Sequence, residues 1–387
     1  MPAQTYTRRT IIADLLGAAA CTVMGMPSLT ALVPFGGPHP QRGGMMQYSE
    51  PFQRRFRVPA MSIALSENGR FVFDHAGGMA DRQHMSQAAE NSLFRIADAS
   101  QAITAVTIFS LLEASKLNLT DHVFGPAGIL GTKYGKAPYG TYVTDITVDH
   151  LLTQTAGGWA ADDNDPMLQH NGWDQAKLIT ETIDNVSLTS VPGTRWAYSN
   201  FGYCLLGRVI EQVSGQPYES YVQANILAPC GITTMQIARN SERQRSPDEV
   251  VYIGQYSEDP YKINVNRMDS CAGWLASSTQ LVQFLNHVAG ASGIPALLKP
   301  DTIRLMTTPA SAYPQGDARY ARGWMVTDEG QGSWWHGGSL PGSTALIIRN
   351  PDASCAAAIC NTRAQPHQEM DTALYEMLSN MERHRKG

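Results

Sequence analysis

The order of strand-like and helix-like segments is the feature that most limits how this chain can fold. Strand patterns occur near both ends, in MSIALSENGRFVFDHAGGMA (61–80) and in TALIIRNPDASCAAAICNT (344–362). Between them, apolar residues recur at helical spacing. If strands from both ends of the chain share one sheet, the helical middle of the chain is an insertion between those strands. The sequence therefore predicts an α/β (α+β) fold, with an antiparallel sheet flanked by helices (about 48–95 and 255–387) and a mainly helical subdomain (about 96–254).

Local signals give this fold more detail. Asn68 and Gly69 separate two alternating runs, which predicts a β-hairpin. The segment QAITAVTIFSLLEASKLNL (101–119) has mostly helical spacing and few charges, which predicts a largely buried helix. A later helix should stop at Gly215, and a closing helix should begin near His367.

The N-terminus has the composition of an export signal. TRRTIIADLLGAAACTVMGMPSLTAL places two arginines before an apolar, Ala-rich stretch. We expect a twin-arginine-like leader over 1–32, a linker over 33–47, and a domain over 48–387, in a periplasmic or extracellular protein. Asp14 interrupts the apolar stretch, so a surface helix of a cytoplasmic protein is the alternative.

Charge and composition exclude several classes of function. The net charge of −5 and pI near 6.1 provide no basic surface for nucleic acid. No apolar run after the N-terminus is long enough to span a bilayer. No metal-binding spacing occurs, so no metal or other cofactor is expected. The acidic loop DDNDP (162–166) lacks the glycine of a calcium loop, and we expect it to be solvated.

Five motifs occur in a fixed order and carry a family resemblance over nearly all of the chain after the leader. They are LFRIADASQAIT, HLLTQTAGG, PGTRWAYSNFGYCLLGRVIEQVSGQPYESYVQANILAPCGI, CAGWLASS and WWHGGSLPGST. Together they resemble the superfamily of serine β-lactamases, penicillin-binding proteins and esterases, nearest to its class C and esterase branch. The resemblance implies a β-lactamase/transpeptidase-like fold with a cleft between the sheet part and the helical part.

The resemblance also implies three elements in that cleft. The first is S-x-x-K at a helix start, in which a serine attacks a carbonyl and a lysine deprotonates it. The second is Y-x-N, present here as Tyr198 and Asn200. The third is K-T-G or H-x-G on a strand, present as His336 to Gly338, with the backbone N–H groups of positions 98 and Ser339 forming an oxyanion hole.

The first element is where the sequence departs from the family. Its flanking residues fix the register and leave Asp98 at the serine position and Gln101 at the lysine position. Ser100 does not restore the motif, because Ile103 stands where its lysine would be. Both groups needed for acyl-serine chemistry are therefore replaced.

Two interpretations of this replacement remain open. Asp98 and Gln101 have the spacing of a capping box, which would stabilise the helix start. Alternatively, Asp98, Tyr198 and His336 form a catalytic cluster that moves protons without a covalent ester. In both cases Gln101, Asn200, Gly338 and Ser339 would contact the ligand, and three tryptophans are further candidates to line the cleft: Trp159, Trp173 and Trp196.

Three hypotheses for function follow. The first is an exported pseudoenzyme that binds a small molecule or peptide in the inherited acyl pocket. The second is a repurposed enzyme that uses Asp98 with Tyr198 and His336 for non-covalent hydrolysis, isomerisation or cyclisation. The third is a conventional ester, amide or β-lactam hydrolase, against which the missing serine and lysine argue. Whether the chain is an enzyme is left open by the sequence.

Overall fold

The computed structural model describes residues 42–386, and the predicted leader (1–32) lies outside this range. In chain order the elements are α1 (Arg42–Phe56), β1 (Ala60–Glu67), β2 (Arg70–Asp81), β3 (Ser86–Gln87), β4 (Phe94–Arg95), α2 (Ser100–Glu113), α3 (Val148–Leu152), α4 (Gln175–Asn185), α5 (Asn200–Ser214), α6 (Tyr218–Val222), β5 (Gln236–Ile237), β6 (Trp274–Ala276), α7 (Ser278–Ala289), α8 (Pro300–Thr307), β7 (Ala318–Tyr320), β8 (Met325–Thr327), β9 (Trp334–Leu340), β10 (Ser343–Arg349), β11 (Cys355–Cys360) and α9 (His367–Lys386). Helix α1 begins at Arg42, so residues 42–47 of the predicted linker are helical.

The two ends of the described chain meet in one antiparallel sheet, as the sequence predicts. Its strand order is β3-β2-β1-β11-β10-β9-β8-β7, and β1 pairs directly with β11 along six registered positions, from Met61 opposite Cys360 to Ser66 opposite Cys355. A smaller sheet, β4-β6-β5, lies in the middle part of the chain. The predicted fold class, an antiparallel sheet flanked by helices with a helical part, is confirmed.

Helices cover the large sheet because its central strands are apolar. Helices α1 and α9 pack against each other and share a buried cluster with β1, β10 and β11, to which Phe52, Leu374 and Met381 belong. Helix α7 contacts β1, β10 and β11 as well. Burying apolar side chains in this way contributes roughly 25 cal/mol for each Å² removed from water. Within residues 42–386 we find no helix that is both long and apolar enough to cross a membrane.

The turn between β1 and β2 confirms the hairpin prediction. Asn68 and Gly69 have φ values of 50° and 79°. A two-residue turn with both central residues in the left-handed region matches the right-handed twist of the strands it joins. Asn and Gly are the residues that reach this region at least cost, and they therefore fix the register of the first hairpin.

Helix α2 is buried on almost all sides, as its composition predicts. All its residues from Ser100 to Leu112 are buried except Ser110. It contacts α5, α8 and β9, so it lies between the large sheet and the helical part. Its buried polar groups find partners in other parts of the chain: for example, the Thr104 hydroxyl donates to the Ser270 carbonyl at 2.7 Å.

Strand β9 lies directly against the turn that precedes α2. A Cβ atom on Gly338 would stand 2.3 Å from the carbonyl oxygen of Ile96 and 2.8 Å from the amide nitrogen of Asp98. Both atoms belong to the backbone and cannot move aside without shifting an element. Gly338 is therefore a glycine for steric reasons, and the contact sets the distance between β9 and Asp98.

We predict that Gly338→Ala lowers the free energy of unfolding by about 1–3 kcal/mol, because overpacking forces β9 away from the helix start. Gly337→Ala is the matched control, since the nearest atom to its Cβ, the carbonyl oxygen of Ala345, lies 3.9 Å away. Urea denaturation of both variants measures the difference. Equal losses in the two variants would show that the close approach at position 338 has no special role.

Candidate active site

The segment leading into position 98 is held rigidly by Arg95. This side chain is fully buried and donates hydrogen bonds to the carbonyls of Pro260 (2.8 Å) and Arg239 (3.0 Å). Its guanidinium also lies 4.3 Å from the ring centroid of Tyr252. Strand β4, which contains Arg95, pairs with β6. The backbone before Asp98 is thus fixed by contacts from distant parts of the chain.

The turn at Asp98 is strained, and its side chain does not cap the helix. Ala97 has a φ of 47°, a region that residues with a Cβ rarely adopt. Ala97–Ala99 form a short 3-10 turn, α2 begins at Ser100, and neither N-terminus has a side-chain cap. The predicted capping box of Asp98 and Gln101 is therefore wrong. Both side chains instead bond to other elements.

The Asp98 carboxylate binds the backbone of β9. The Ser339 N–H donates to Asp98 Oδ2 at 3.1 Å, and the amide of Asp98 itself also favours the ionised carboxylate. These are the two N–H groups that the family resemblance assigns to an oxyanion hole. In this chain Asp98 Oδ2, at the nucleophile position, accepts the hydrogen bond that the Ser339 N–H of an oxyanion hole would donate to a substrate carbonyl.

Burial controls the ionisation of this carboxyl group. Loss of solvent raises the pKa of Asp98 to about 6, and the N–H donors of Ser339 and Asp98 only partly oppose this rise. Desolvation thus outweighs the stabilising effect of these two hydrogen bonds. Among the described residues, no basic side chain forms an ion pair with Asp98. The site therefore holds a carboxylate without a counter-ion at neutral pH.

Gln101, at the lysine position, is the centre of a network of side-chain amides that ends at the carboxylate of Asp165. Its Nε2 donates to Asn200 Oδ1 at 3.0 Å, and Asn200 Nδ2 donates to Asp165 Oδ2 at 2.8 Å. Gln154 Nε2 donates to Gln101 Oε1 at 3.0 Å, while Gln154 Oε1 accepts from the Ser199 N–H at 2.8 Å. All these side chains are buried. The network fixes Gln101 in place and supplies no cation to activate a nucleophile.

Asp165 is a member of this network that the sequence did not reveal. We expected the whole DDNDP loop to be solvated, and this is wrong for Asp165. Residues 162–164 are exposed, whereas Asp165 is buried and accepts from Asn200 and from the Met167 N–H at 2.9 Å. Burial raises its pKa above the usual aspartate value. A run of acidic residues looks uniformly polar in sequence, so no local signal separates the buried carboxylate from its exposed neighbours.

Tyr198 and His336 lie close together. Their ring centroids are 6.4 Å apart, and Tyr320 on β7 lies 6.3 Å from Tyr198 and 6.2 Å from His336. The charge of Asp98 contributes to the high pKa of the Tyr198 hydroxyl, although burial is the larger cause. Tyr320 is a second residue that the sequence did not reveal, since no motif contains it.

His336 is neutral and has one free nitrogen. Its Nδ1 lies 2.6 Å from the Gly337 carbonyl, which can only accept, so Nδ1 carries the proton. Its Nε2 is buried and has no hydrogen-bond partner. Burial lowers the pKa of His336 to about 4. The imidazole thus presents an unprotonated, unpaired acceptor at neutral pH.

The structure brings the predicted site residues together in two connected groups. Asp98, Tyr198, His336 and Ser339 form one group, which we call the Asp98 site, with Gly338 directly against its backbone. The second group is the amide network, to which Gln101 and Asn200 belong. Of the three candidate tryptophans, only Trp196 has a ring contact with Tyr198, at 6.4 Å. Trp159 packs on Phe201, and Trp173 stacks on His170.

Two further features limit the chemistry. Ser100 cannot act as a nucleophile in this conformation, because it is fully buried and its hydroxyl accepts from the Trp274 N–H at 3.3 Å. Across residues 42–386, no three His, Cys, Asp or Glu side chains are grouped so that they could hold a metal ion. The five cysteines of this range are buried and free.

Solved structures of similar fold include a penicillin-binding protein homologue and an amidase. The octameric penicillin-binding protein homologue from Pyrococcus abyssi superposes with a TM-score of 0.69 at 23% identity, covering 87% of this chain and 77% of that one. The D-amino acid amidase from Ochrobactrum anthropi SV3, complexed with L-phenylalanine amide, gives a TM-score of 0.69 at 20% identity, covering 87% and 98%. At these identities the likeness shows the fold.

The family follows from the sequence comparison. The Beta-lactamase family pattern matches residues 47–380, and the chain therefore belongs to the β-lactamase family. Protein flp of Staphylococcus aureus (strain MRSA252) is 26% identical over 297 residues, which are 76% of this chain and 57% of flp. The putative penicillin-binding protein PbpX of Bacillus subtilis (strain 168) is 25% identical over 280 residues, 72% and 64%. The chain thus spans about three fifths of the length of these relatives.

We predict that Asp98→Asn stabilises the protein at pH 8 but not at pH 4. The folded-state pKa of Asp98 is raised from 3.8 to about 6, so folding favours the protonated form. The cost of the carboxylate is absent below about pH 3.8, grows as pH rises through this window, and is complete above about pH 6. A shift of about two units corresponds to at most about 3 kcal/mol, and we expect about 1–3 kcal/mol.

Denaturant unfolding of the wild type and the variant at both pH values measures this difference. Asp163→Asn is the matched control, because Asp163 is an exposed aspartate of the neighbouring loop. A stability gain from Asp98→Asn that is as large at pH 4 as at pH 8 would contradict the prediction.

Proposed function

We propose that this protein is a non-acylating member of the β-lactamase family that binds a small molecule or a peptide at the Asp98 site. The observation that carries the proposal is the hydrogen bond from the Ser339 N–H to Asp98 Oδ2. A substrate carbonyl that needs this donor would have to displace a carboxylate that carries negative charge at neutral pH. The same residue replaces the serine that would attack that carbonyl.

The state of position 101 supports this proposal. A lysine there would supply a base for the nucleophile, as the family resemblance implies. Gln101 is instead fixed by Asn200 and Gln154 in hydrogen bonds of 3.0 Å each. An amide has no basic lone pair at neutral pH, so the network preserves the shape of the pocket without its activating group.

The proposal extends to localisation and ligand size. The leader-like composition of 1–32 supports export to the periplasm or the cell exterior. One solved structure of this fold, the D-amino acid amidase, is complexed with L-phenylalanine amide, which supports a ligand of similar size here.

We predict that neither a fluorescent penicillin nor a fluorophosphonate labels the wild-type protein. The double variant Asp98→Ser/Gln101→Lys should become labelled at position 98, since Tyr198, Asn200, His336 and the Ser339 N–H are retained. The single variant Asp98→Ser is the control, because it lacks the lysine and should react at least about a hundredfold more slowly. Gel fluorescence and mass spectrometry of the labelled peptide give the result. Stoichiometric labelling of a wild-type serine would disprove the proposal.

A second function is favoured by one specific feature, the free Nε2 of His336, whose ring lies beside Tyr198. Asp98, with a pKa of about 6, could accept a proton at neutral pH, and Tyr198 could relay one. The protein would then be a repurposed enzyme that hydrolyses, isomerises or cyclises its substrate without an acyl-enzyme.

Asp98→Asn separates the two functions. Under the second function, the variant should lose at least about a hundredfold of any turnover found with ester and amide substrates, because it removes the general base. Asp163→Asn again serves as the control. Turnover that survives Asp98→Asn would exclude Asp98 as a base and would leave the binding function as the better account.

A further inference from the structure

The Asp98 site contains unpaired acceptors as well as unpaired donors: His336 Nε2, the Ser339 hydroxyl and the Trp196 indole N–H have no hydrogen-bond partner among residues 42–386. Within the described chain, no side chain donates to either oxygen of Asp98, and the donors to this carboxylate are the backbone N–H groups of Ser339 and of Asp98 itself. His336 Nε2 is an acceptor because the proton is on Nδ1. The His336 side chain is only 4% exposed, so water outside the protein cannot solvate this nitrogen. A ligand group that donates hydrogen bonds can therefore reach the carboxylate of Asp98 without displacing a side-chain donor.

The charge at the site is negative and uncompensated. Among residues 42–386, the arginine with a favourable electrostatic effect on Asp98 is Arg363, and its guanidinium is already paired with Glu258. Asp165 adds a second, unfavourable negative charge. A buried or half-buried carboxylate without a counter-ion is costly, and a bound cation would remove that cost.

Aromatic rings surround the same region. Trp196 lies 4.8 Å from Tyr313 in an edge-to-face contact, 6.4 Å from Tyr198 and 6.1 Å from Tyr320. Trp196, Tyr198 and Tyr313 are partly exposed, so they form the open side of the site. The faces of such rings attract cations, and their area accommodates an apolar group beside the charge.

We propose that the Asp98 site binds a ligand through a primary ammonium group, which donates to Asp98 while the aromatic residues enclose the adjoining carbon chain. This inference rests on the proposed binding function and adds the chemical class of the ligand. A compact ammonium supplies both hydrogen-bond donors and the positive charge that the Asp98 carboxylate lacks. A carboxylate or phosphate ligand would meet the charge of Asp98 and is excluded by it.

The test compares two probes that differ in charge: phenethylamine and its neutral counterpart 2-phenylethanol. Calorimetry or ligand-observed NMR at pH 7.5 should show that the wild type binds the amine at least about tenfold more tightly than the alcohol, as a charge-assisted hydrogen bond requires. Asp98→Asn should remove this preference, whereas Asp163→Asn should retain it. Equal binding of both probes, or no binding of the amine at millimolar concentration, would overturn the inference.

The pH dependence gives an independent readout. Asp98 becomes protonated as the pH falls through about 6, so affinity for the amine should fall by about tenfold between pH 7.5 and pH 5. His336, with a pKa of about 4, stays neutral over this range, and Tyr198 and Tyr320 stay protonated. Asp371 on α9 interacts with Asp98 and has a pKa of about 7, so it is the group that could contribute a similar dependence.

Asp371→Asn therefore accompanies the pH series. The loss of affinity should persist in Asp371→Asn and disappear in Asp98→Asn. A loss that follows Asp371 instead would refute the assignment of the ammonium to Asp98. If the amine fails to bind, the ammonium inference is wrong, but the labelling result is unaffected. If penicillin labels the wild type, the proposed binding function itself is wrong. The two experiments therefore distinguish failure of the inference from failure of the proposed function.

Discussion

Strand β9 passes so close to the turn before helix α2 that a Cβ at position 338 would collide with the backbone at Ile96 and Asp98. This approach places the Ser339 N–H within 3.1 Å of the Asp98 carboxylate. It also brings His336, which precedes Gly338 by two residues on β9, beside Tyr198. The geometry of the whole site depends on this one contact between backbones. Arg95 supports this contact by fixing β4, the strand that leads into the turn before α2.

The overall fold could be predicted because its signals are local. Asn68 and Gly69 specify their turn through their own backbone preferences, and Gly215 ends α5 with a φ of 72° for the same reason. The motifs predict that Tyr198, Asn200 and His336 lie at one site, because proteins that share these motifs in the same order share a fold. Charge-poor, periodic segments such as α2 are buried because few of their residues tolerate exposure.

The direction of the Asp98 side chain could not be predicted, because two acceptable partners compete for it. A capping interaction needs only the amides of the next turn, and local spacing is sufficient to suggest it. The actual donor, the N–H of Ser339, is 241 residues further along the chain. Asp165 illustrates the same limit. Its partner Asn200 lies in another segment, so its burial is decided by tertiary contacts that leave no pattern in DDNDP.

The replacement of both serine and lysine is physically coherent. If a lysine stood at position 101 of the same helix, a cation would lie near Asp98 and would act as its counter-ion. The Asp98 carboxylate would then be paired within the protein and would have no use for a cationic ligand. Gln101 instead donates to Asn200 and accepts from Gln154, which satisfies the buried network with neutral groups. Asp98 therefore retains an unpaired charge. Burial disfavours this charge and raises the pKa of Asp98 to about 6, and a bound ammonium would offset that cost of desolvation. On this reasoning the change at 101 is what makes the change at 98 useful, because only a neutral residue there keeps the carboxylate available to a ligand.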